Sequence, residues 1–172
     1  MMRDKTYLRI GLIAASACFS GIVTAAPQNG IGVYLGVIGA TQNNGVDSSG
    51  LSLGVDAQFV LNDDWSVAPY LMISSERDNA SHTVSDGLAG VSLRRWFGEW
   101  FAGPQVFEHD LIVMSNGTVN SSAYGLSGGL VAGFEYANGW GAEAQADLFE
   151  STMSGKGVQR NALRLHLTYR WH

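Results

Sequence analysis

The sequence predicts an all-β fold: an eight-stranded antiparallel transmembrane β-barrel, wound as an up-and-down meander behind a cleaved signal peptide. Three observations predict it. Apolar and polar residues alternate with period two, as they must when successive side chains leave a strand on opposite faces. Short and long connections alternate between the segments, the layout of a barrel with tight turns at one membrane face and longer loops at the other. Charged residues are only 15% of the 172 while 46% are hydrophobic, and soluble domains carry roughly 25% charge.

The first 26 residues read as an address. Arg3, Lys5 and Arg9 precede the apolar stretch Ile10 to Val23, and Thr24-Ala25-Ala26 offers a small-residue cleavage site. The stretch is shorter than the ~20 residues of a spanning helix. Ala15-Ser16-Ala17-Cys18 is a rival lipoprotein-type site, which would leave Cys18 lipidated. The expected mature domain is therefore 27–172. Losing Arg3, Lys5, Arg9 and Asp4 shifts the formal charge from −5 to about −7 and leaves Lys156 as the only lysine.

Eight segments follow, roughly 31–41, 51–61, 65–75, 86–97, 100–109, 123–136, 140–150 and 160–171. In the second, Leu51, Leu53, Val55, Ala57, Phe59 and Leu61 share one face, opposite Ser52, Gly54, Asp56 and Gln58. In the seventh, Trp140, Ala142, Ala144, Ala146 and Leu148 oppose Gly141, Glu143, Gln145 and Asp147. In the last, Leu163, Leu165, Leu167, Tyr169 and Trp171 oppose Arg164, His166, Thr168 and Arg170. The fourth and fifth alternate least clearly. Pro104, which has no amide to donate, predicts a local irregularity. Tight turns are expected at 62–64, 98–99 and 137–139, and long polar loops at 42–50, 76–85, 110–122 and 151–159.

Alternation alone does not say which face points outward, since a soluble lipocalin-like binder is also an eight-stranded barrel. Small residues answer this for the polar face. Gly32, Gly36, Gly54, Gly90, Gly129 and Gly133 share faces with the charges, as a narrow lumen requires. Aromatic residues answer it for the ends. Trp65, Phe97, Trp100, Tyr136, Trp140, Tyr169 and Trp171 cluster near the short turns, where rings suit a membrane–water interface. The expected lumen set is Asp56, Gln58, Tyr70, Arg94, Gln105, Glu135, Glu143, Gln145, Asp147, Arg164, His166 and Arg170. Aligned hairpins set Glu143 beside His166 and Gln145 beside Arg164. Buried charges need partners, so these residues are expected to form a polar network that plugs the barrel.

The chain resembles the small eight-stranded outer-membrane proteins of the outer membrane protein X and outer membrane protein A barrel type. The resemblance spans about 30–172 and rests on the strand pattern, on Tyr124-Gly-Leu-Ser-Gly-Gly-Leu-Val-Ala-Gly-Phe-Glu-Tyr136 and on Leu163-Arg-Leu-His-Leu-Thr-Tyr-Arg-Trp171. It implies a monomer in the outer membrane of a Gram-negative-type envelope, in contact with outer-membrane lipid and lipopolysaccharide. It also implies a last strand read by the barrel-assembly machinery, although here His172 follows the terminal aromatic.

The expected role is non-catalytic: a structural or surface-interaction protein whose loops meet an unidentified partner. Leu111, Ile112, Val113 and Met114 are the candidate loop contacts, either as an exposed apolar patch or as an extension of the fifth strand. A lipid A-modifying barrel enzyme is the alternative. Asp78, Ser81, His82 and Asp86, with Glu108-His109-Asp110, hold the residue types of a nucleophile, base and orienter. A narrow pore through the lumen is a third reading. An acidic chain without a Lys/Arg cluster excludes nucleic acid. One Cys excludes a disulfide framework. The four His, at 82, 109, 166 and 172, lack ligand spacing, so no metal and no cofactor is expected.

Overall fold

The computed structural model describes residues 27–42, 45–115, 118–153 and 156–172. The segment expected to be a signal peptide, with Cys18, lies outside them. Eight strands form one closed antiparallel barrel: β1 (Gly30–Gln42), β2 (Asp47–Asn62), β3 (Trp65–Asp78), β4 (Thr83–Phe97), β5 (Trp100–Ser115), β6 (Thr118–Glu135), β7 (Trp140–Met153) and β8 (Lys156–Trp171). Each strand pairs with the next. β8 closes onto β1, from Ile31 opposite Trp171 to Gln42 opposite Arg160. Followed round the barrel, the register that starts at Gly30 returns to β1 at Ala40. A ten-residue stagger over eight strands tilts them by about 40°.

The side chains sort by parity. Even-numbered residues point inward on β1–β4 and β8, odd-numbered ones on β5–β7. The two-residue turn 98–99 joins two outward residues, Phe97 and Trp100, which sets the switch. Polarity is inverted relative to a soluble domain. Leu163, Leu165 and Leu167 are 53%, 51% and 57% exposed, while Arg164 between them is 0% exposed. Outward apolar residues form a belt from Ile31 to Val37 on β1, Leu51 to Leu61 on β2, Val67 to Ile73 on β3 and Leu163 to Trp171 on β8. Nine tilted residues suit the hydrocarbon thickness. The lumen is narrow enough that Gly90 is obligatory: a Cβ there would lie 2.6 Å from the Phe107 Cβ and 2.8 Å from the Tyr70 ring.

Two expectations are corrected. The long loops are mostly strand. No more than four residues separate consecutive strands at that end, because β2 begins at Asp47, β3 runs to Asp78, β4 starts at Thr83 and β5 runs to Ser115. Beyond the belt neither face needs to be apolar, so the period-two signal fades while the backbone ladder continues. The apolar run at the end of β5 is therefore strand. Leu111 is fully buried against Val84 and Ala123 and offers no surface contact, while Ile112, Val113 and Met114 are half-buried. The irregularity expected at Pro104 takes the form of a gap in the ladder without a change of register: among the described residues, β4–β5 pairing passes from Ser92 opposite Gln105 to Arg95 opposite Ala102, with the two pairs between them missing. The register shifts elsewhere, between Val60 and Asn62 and between Val113 and Met114.

One seam is incomplete. Among the described residues, β6 and β7 pair from Glu135 opposite Gly141 only as far as Gly128 opposite Leu148. Farther out, β6 is bonded to β5 alone and β7 to β8 alone.

A charge on the belt tests the outward face. Leu71→Arg is expected to lower the unfolding free energy in lipid vesicles by about 2–4 kcal/mol. Arg77→Leu, beyond the belt, is expected to change it by less than about 0.5 kcal/mol. Equal small effects in denaturant titrations would contradict the assignment of that face to lipid.

Candidate functional site: the lumen network

All twelve residues expected to line the lumen are buried inside the barrel. The acidic and arginine side chains there, among the described residues, are Asp56, Glu76, Asp86, Glu135, Glu143 and Asp147, and Arg94, Arg160, Arg164 and Arg170. Every cation is an arginine. Its planar fork of five N–H groups can bridge several carboxylates and stays charged when buried.

Arg94 on β4 reaches across the lumen. It lies 3.1 Å from both Asp56 of β2 and Glu143 of β7, and donates to Gln58 at 3.0 Å and to the Tyr34 hydroxyl at 3.0 Å. Tyr34 in turn donates to Asp56. Arg170 on β8 joins Asp56 at 2.6 Å and Glu135 of β6 at 2.9 Å, near the short-turn end. Farther along the axis, Arg160 on β8 spans to Glu76 of β3 at 2.5 Å and Asp86 of β4 at 2.7 Å. Arg164 joins Asp86 at 3.0 Å and also pairs with Asp147 of β7. The arginines act as spokes that tie strands across the axis.

Carboxylates outnumber guanidiniums by two, so neutral donors must make up the difference. Ser48 and Ser74 donate to Glu76 at 2.6 and 2.8 Å, Gln145 donates to Glu143 at 2.6 Å, and Gln105 donates to Asp147. His166 shares a 2.7 Å hydrogen bond with Ser52. Apolar layers fill the remaining length: Tyr34, Tyr70, Met72, Leu88 and Phe107 in one, and Trp96, Phe101 and Val131 in another.

The hairpin alignments differ from the side-chain pairing. Glu143 does stand opposite His166, and Gln145 opposite Arg164. The ionic partner of Glu143 is Arg94, across the lumen, while Arg164 reaches across to Asp86 and also pairs with Asp147 on the neighbouring β7. Sequence reasoning missed Tyr34, Glu76, Asp86, His109 and Arg160. A signal for them exists in parity: Arg160 shares its phase with Arg164, and Glu76 with Tyr70. They were passed over because Glu76 and Asp86 fall in stretches polar enough to read as loop.

The enzyme-like groups are not gathered. Asp86 and His109 are 1% exposed inside the barrel, whereas Glu108 and Asp110 face outward. Asp78 builds the β3–β4 turn. It accepts the amides of Ala80 and His82 at 2.9 and 2.8 Å and meets the His82 ring at 2.9 Å, with Ser81 at φ +68°. Burial acts to raise the Asp78 carboxyl, but the His82 ring and these two amides outweigh it and hold it below the usual carboxylate range.

The expected interface aromatics lie on the outside near the short turns. Phe97, Trp100, Tyr136, Trp140 and Trp171 are exposed, and Trp65 and Tyr169 are half-buried. Ring contacts run from Trp100 to Phe134 to Tyr136, and from Trp140 to Tyr169 to Trp171, with centroids 4.9–5.3 Å apart. Arg95 lies over the Trp65 and Phe97 rings.

No protein-family model matches the chain, and no curated protein sequence matches it. Solved structures do. Neisserial surface protein A superposes with a TM-score of 0.60 at 14% identity, over 86% of this chain and 99% of that one. Ail, the attachment invasion locus protein of Yersinia pestis, gives 0.59 at 13% identity over 83% and 97%. The outer membrane protein OprG from Pseudomonas aeruginosa gives 0.50 at 11% identity over 87% and 99%. The chain has the fold of these small eight-stranded membrane barrels.

Removing one spoke tests the network. Arg94→Met leaves Asp56 and Glu143 buried without that cation, and is expected to cost about 3–5 kcal/mol of unfolding free energy. A loss below ~1 kcal/mol would show that the interior tolerates unpaired charge and that the network is not structural.

Proposed function

We propose that this protein is an exported outer-membrane barrel with a sealed lumen, which acts through contacts at its outer end and not by catalysis or conduction. One observation carries the reading: fully buried Arg94, Arg160 and Arg164 inside a wall whose outward leucines are half exposed. Such a polarity is stable in hydrocarbon, where pairing of neighbouring strands round the barrel satisfies backbone groups that an open sheet would leave bare. The ion-pair spokes cross the lumen at successive levels, which supports a plug over a path for ions. Insertion by the barrel-assembly machinery and a monomeric state belong to the same proposal.

The surface role has its own support. β5 and β6 run well past the apolar belt, and their hairpin keeps β6 residues 118–127 bonded on one edge only among the described residues. An unpaired strand edge offers a row of amides and carbonyls to an extended partner. A barrel of this fold can also hold a ligand: Ail has been solved in complex with the heparin analogue sucrose octasulfate.

Fractionation and conductance test the first part. The protein is expected in the outer-membrane fraction, with gel mobility that changes on boiling, and without steady current in planar bilayers. Recovery in the soluble periplasmic extract, or stable unit conductance, would contradict it. Deleting 112–122 tests the second part. The shortened barrel is expected to remain heat-modifiable while attachment of cells to protein-coated surfaces falls several-fold. Unchanged attachment would remove the surface role.

A further inference from the structure

Past the pair Gly128–Leu148 the ladder between β6 and β7 stops while both strands continue. β6 stays bonded to β5, from Ser127 opposite Phe107 to Thr118 opposite Ser115, and among the described residues 118–127 have no pairing across the seam. β7 continues against β8, to Met153 opposite Lys156. Ala123 is buried inside against Val84 and Leu111, so this part of β6 is still barrel wall. Its outward side chains are Leu126, 71% exposed at the top of the apolar belt, and Tyr124, 65% exposed one step beyond. An edge of this length, about 33 Å at the usual rise, matches a partner segment of similar length.

The strands around this edge carry charge of one sign. No lysine or arginine occurs from Trp96 to Gly155, so β5, β6 and β7 have none. Glu108 and Asp110 face outward on β5, opposite Leu126 and Tyr124. The Tyr124 hydroxyl hydrogen-bonds Glu108. On their other side the two carboxylates meet Ala89 and Gly87 of β4, which bring no charge. Across the seam, Glu150 is the next acidic residue of β7 past Leu148. The basic residues of this end lie elsewhere. Arg77 is on β3, with β4 between it and β5, and Lys156 is on β8, with β7 between it and the seam. Arg160 is bound inside to Glu76 and Asp86.

We infer that the β6 edge takes up an extended basic segment of a partner protein. The segment adds a strand antiparallel to β6, in the place β7 holds below Gly128, and sets lysine or arginine side chains over Tyr124 toward Asp110 and Glu108. The inference rests on the strand-edge reading above and deepens it by fixing the charge and direction of the partner. Backbone pairing supplies affinity, and alternate side chains supply selectivity. An added strand lies about 10 Å from β5 at the usual spacing. A long basic side chain opposite Tyr124 spans that gap along the ring, whose face attracts a cation. A polyanion would meet two carboxylates there. A second copy in the same membrane does not fit either. Like edges pair antiparallel, about a two-fold axis across the strands, whereas copies inserted in one direction are related by an axis along the membrane normal.

The test uses the folded barrel in phosphatidylcholine nanodiscs and fluorescent peptides of about ten residues, the length of the edge. One peptide alternates threonine with lysine, the other threonine with glutamate, and binding is read by anisotropy. At low salt the lysine peptide is expected to bind about ten-fold more tightly, the scale that two exposed ion pairs supply. Raising the salt to about 0.5 M is expected to erase that preference. Glu108→Gln combined with Asp110→Asn is expected to reduce it to about two-fold or less. Methylating alternate backbone amides of the lysine peptide separates strand pairing from charge attraction. A strand bonded through one edge loses binding when one alternate set is methylated and keeps it when the other set is. Equal affinity for the two peptides, with that alternate pattern intact, would overturn the basic partner and leave the edge reading standing. A preference that survives removal of both carboxylates would place the site elsewhere and overturn the inference. Loss of binding with both methylated sets, or with neither, would overturn strand addition and the edge reading with it. A heparin fragment that binds where the lysine peptide does not would assign the surface to a polyanion and overturn the inference.

Discussion

Guanidinium groups locked inside a closed sheet are the constraint on which the rest of this molecule depends. An isolated ion in a low-dielectric interior is costly by many kcal/mol. Arg94, Arg160, Arg164 and Arg170 avoid that cost because each meets at least one carboxylate from a strand that is not its neighbour in the sheet. The pairing works only if eight strands close at one radius with one stagger. A shift of one residue in any strand would turn its charges to the outside and its leucines to the lumen. Register, closure and charge pairing therefore stand or fall together. Conformational specificity is what such a network supplies, since an apolar interior of equal volume would not distinguish one register from the next so sharply.

Much of this was legible in the amino-acid sequence. Within the apolar belt β2, β7 and β8 each have one greasy and one polar face, so Leu163 to Trp171 announces both its conformation and its orientation. The interior glycines were legible for the same reason: Gly32, Gly36, Gly54, Gly90, Gly129 and Gly133 sit in phase with the charges, where bulk cannot fit. The strand ends were not legible. Past the belt Ser48 and Ser49, or Ser74 and Ser75, are polar on both faces, so chemistry no longer marks the direction of a side chain. That is why Glu76 and Asp86 resemble loop residues although they are buried against Arg160. Partners were illegible too. Alignment identifies neighbours along the wall, but a spoke such as Arg94 to Glu143 crosses the lumen, and only the barrel radius decides which spokes meet.

The same lack of signal beyond the belt hides where surface chemistry resides. A protein whose outer connections are short cannot rely on long loops, so its outer end is built from strand. That changes the kind of contact on offer, from adaptable side chains on loops to backbone edges and flat, half-polar sheet. The stretch of β6 that, among the described residues, pairs on one edge belongs to that surface. Asp78 shows the local device that keeps one connection so tight. Its carboxylate binds the turn amides and the His82 ring, leaving the β3–β4 tip compact.

The most direct test of the account is accessibility along β8. Cys18 is the chain's only cysteine, so in a Cys18→Ser background single cysteines at positions 162–168 can carry nitroxide labels without interference. The account expects labels at Leu163, Leu165 and Leu167 to be relaxed by oxygen dissolved in the bilayer and shielded from a water-soluble nickel complex. It expects labels at the intervening even positions to be immobilised and reached by neither. Oxygen access at the even positions, or nickel access at the leucines in the reconstituted protein, would place the arginines outside and contradict the inverted polarity from which the function is argued.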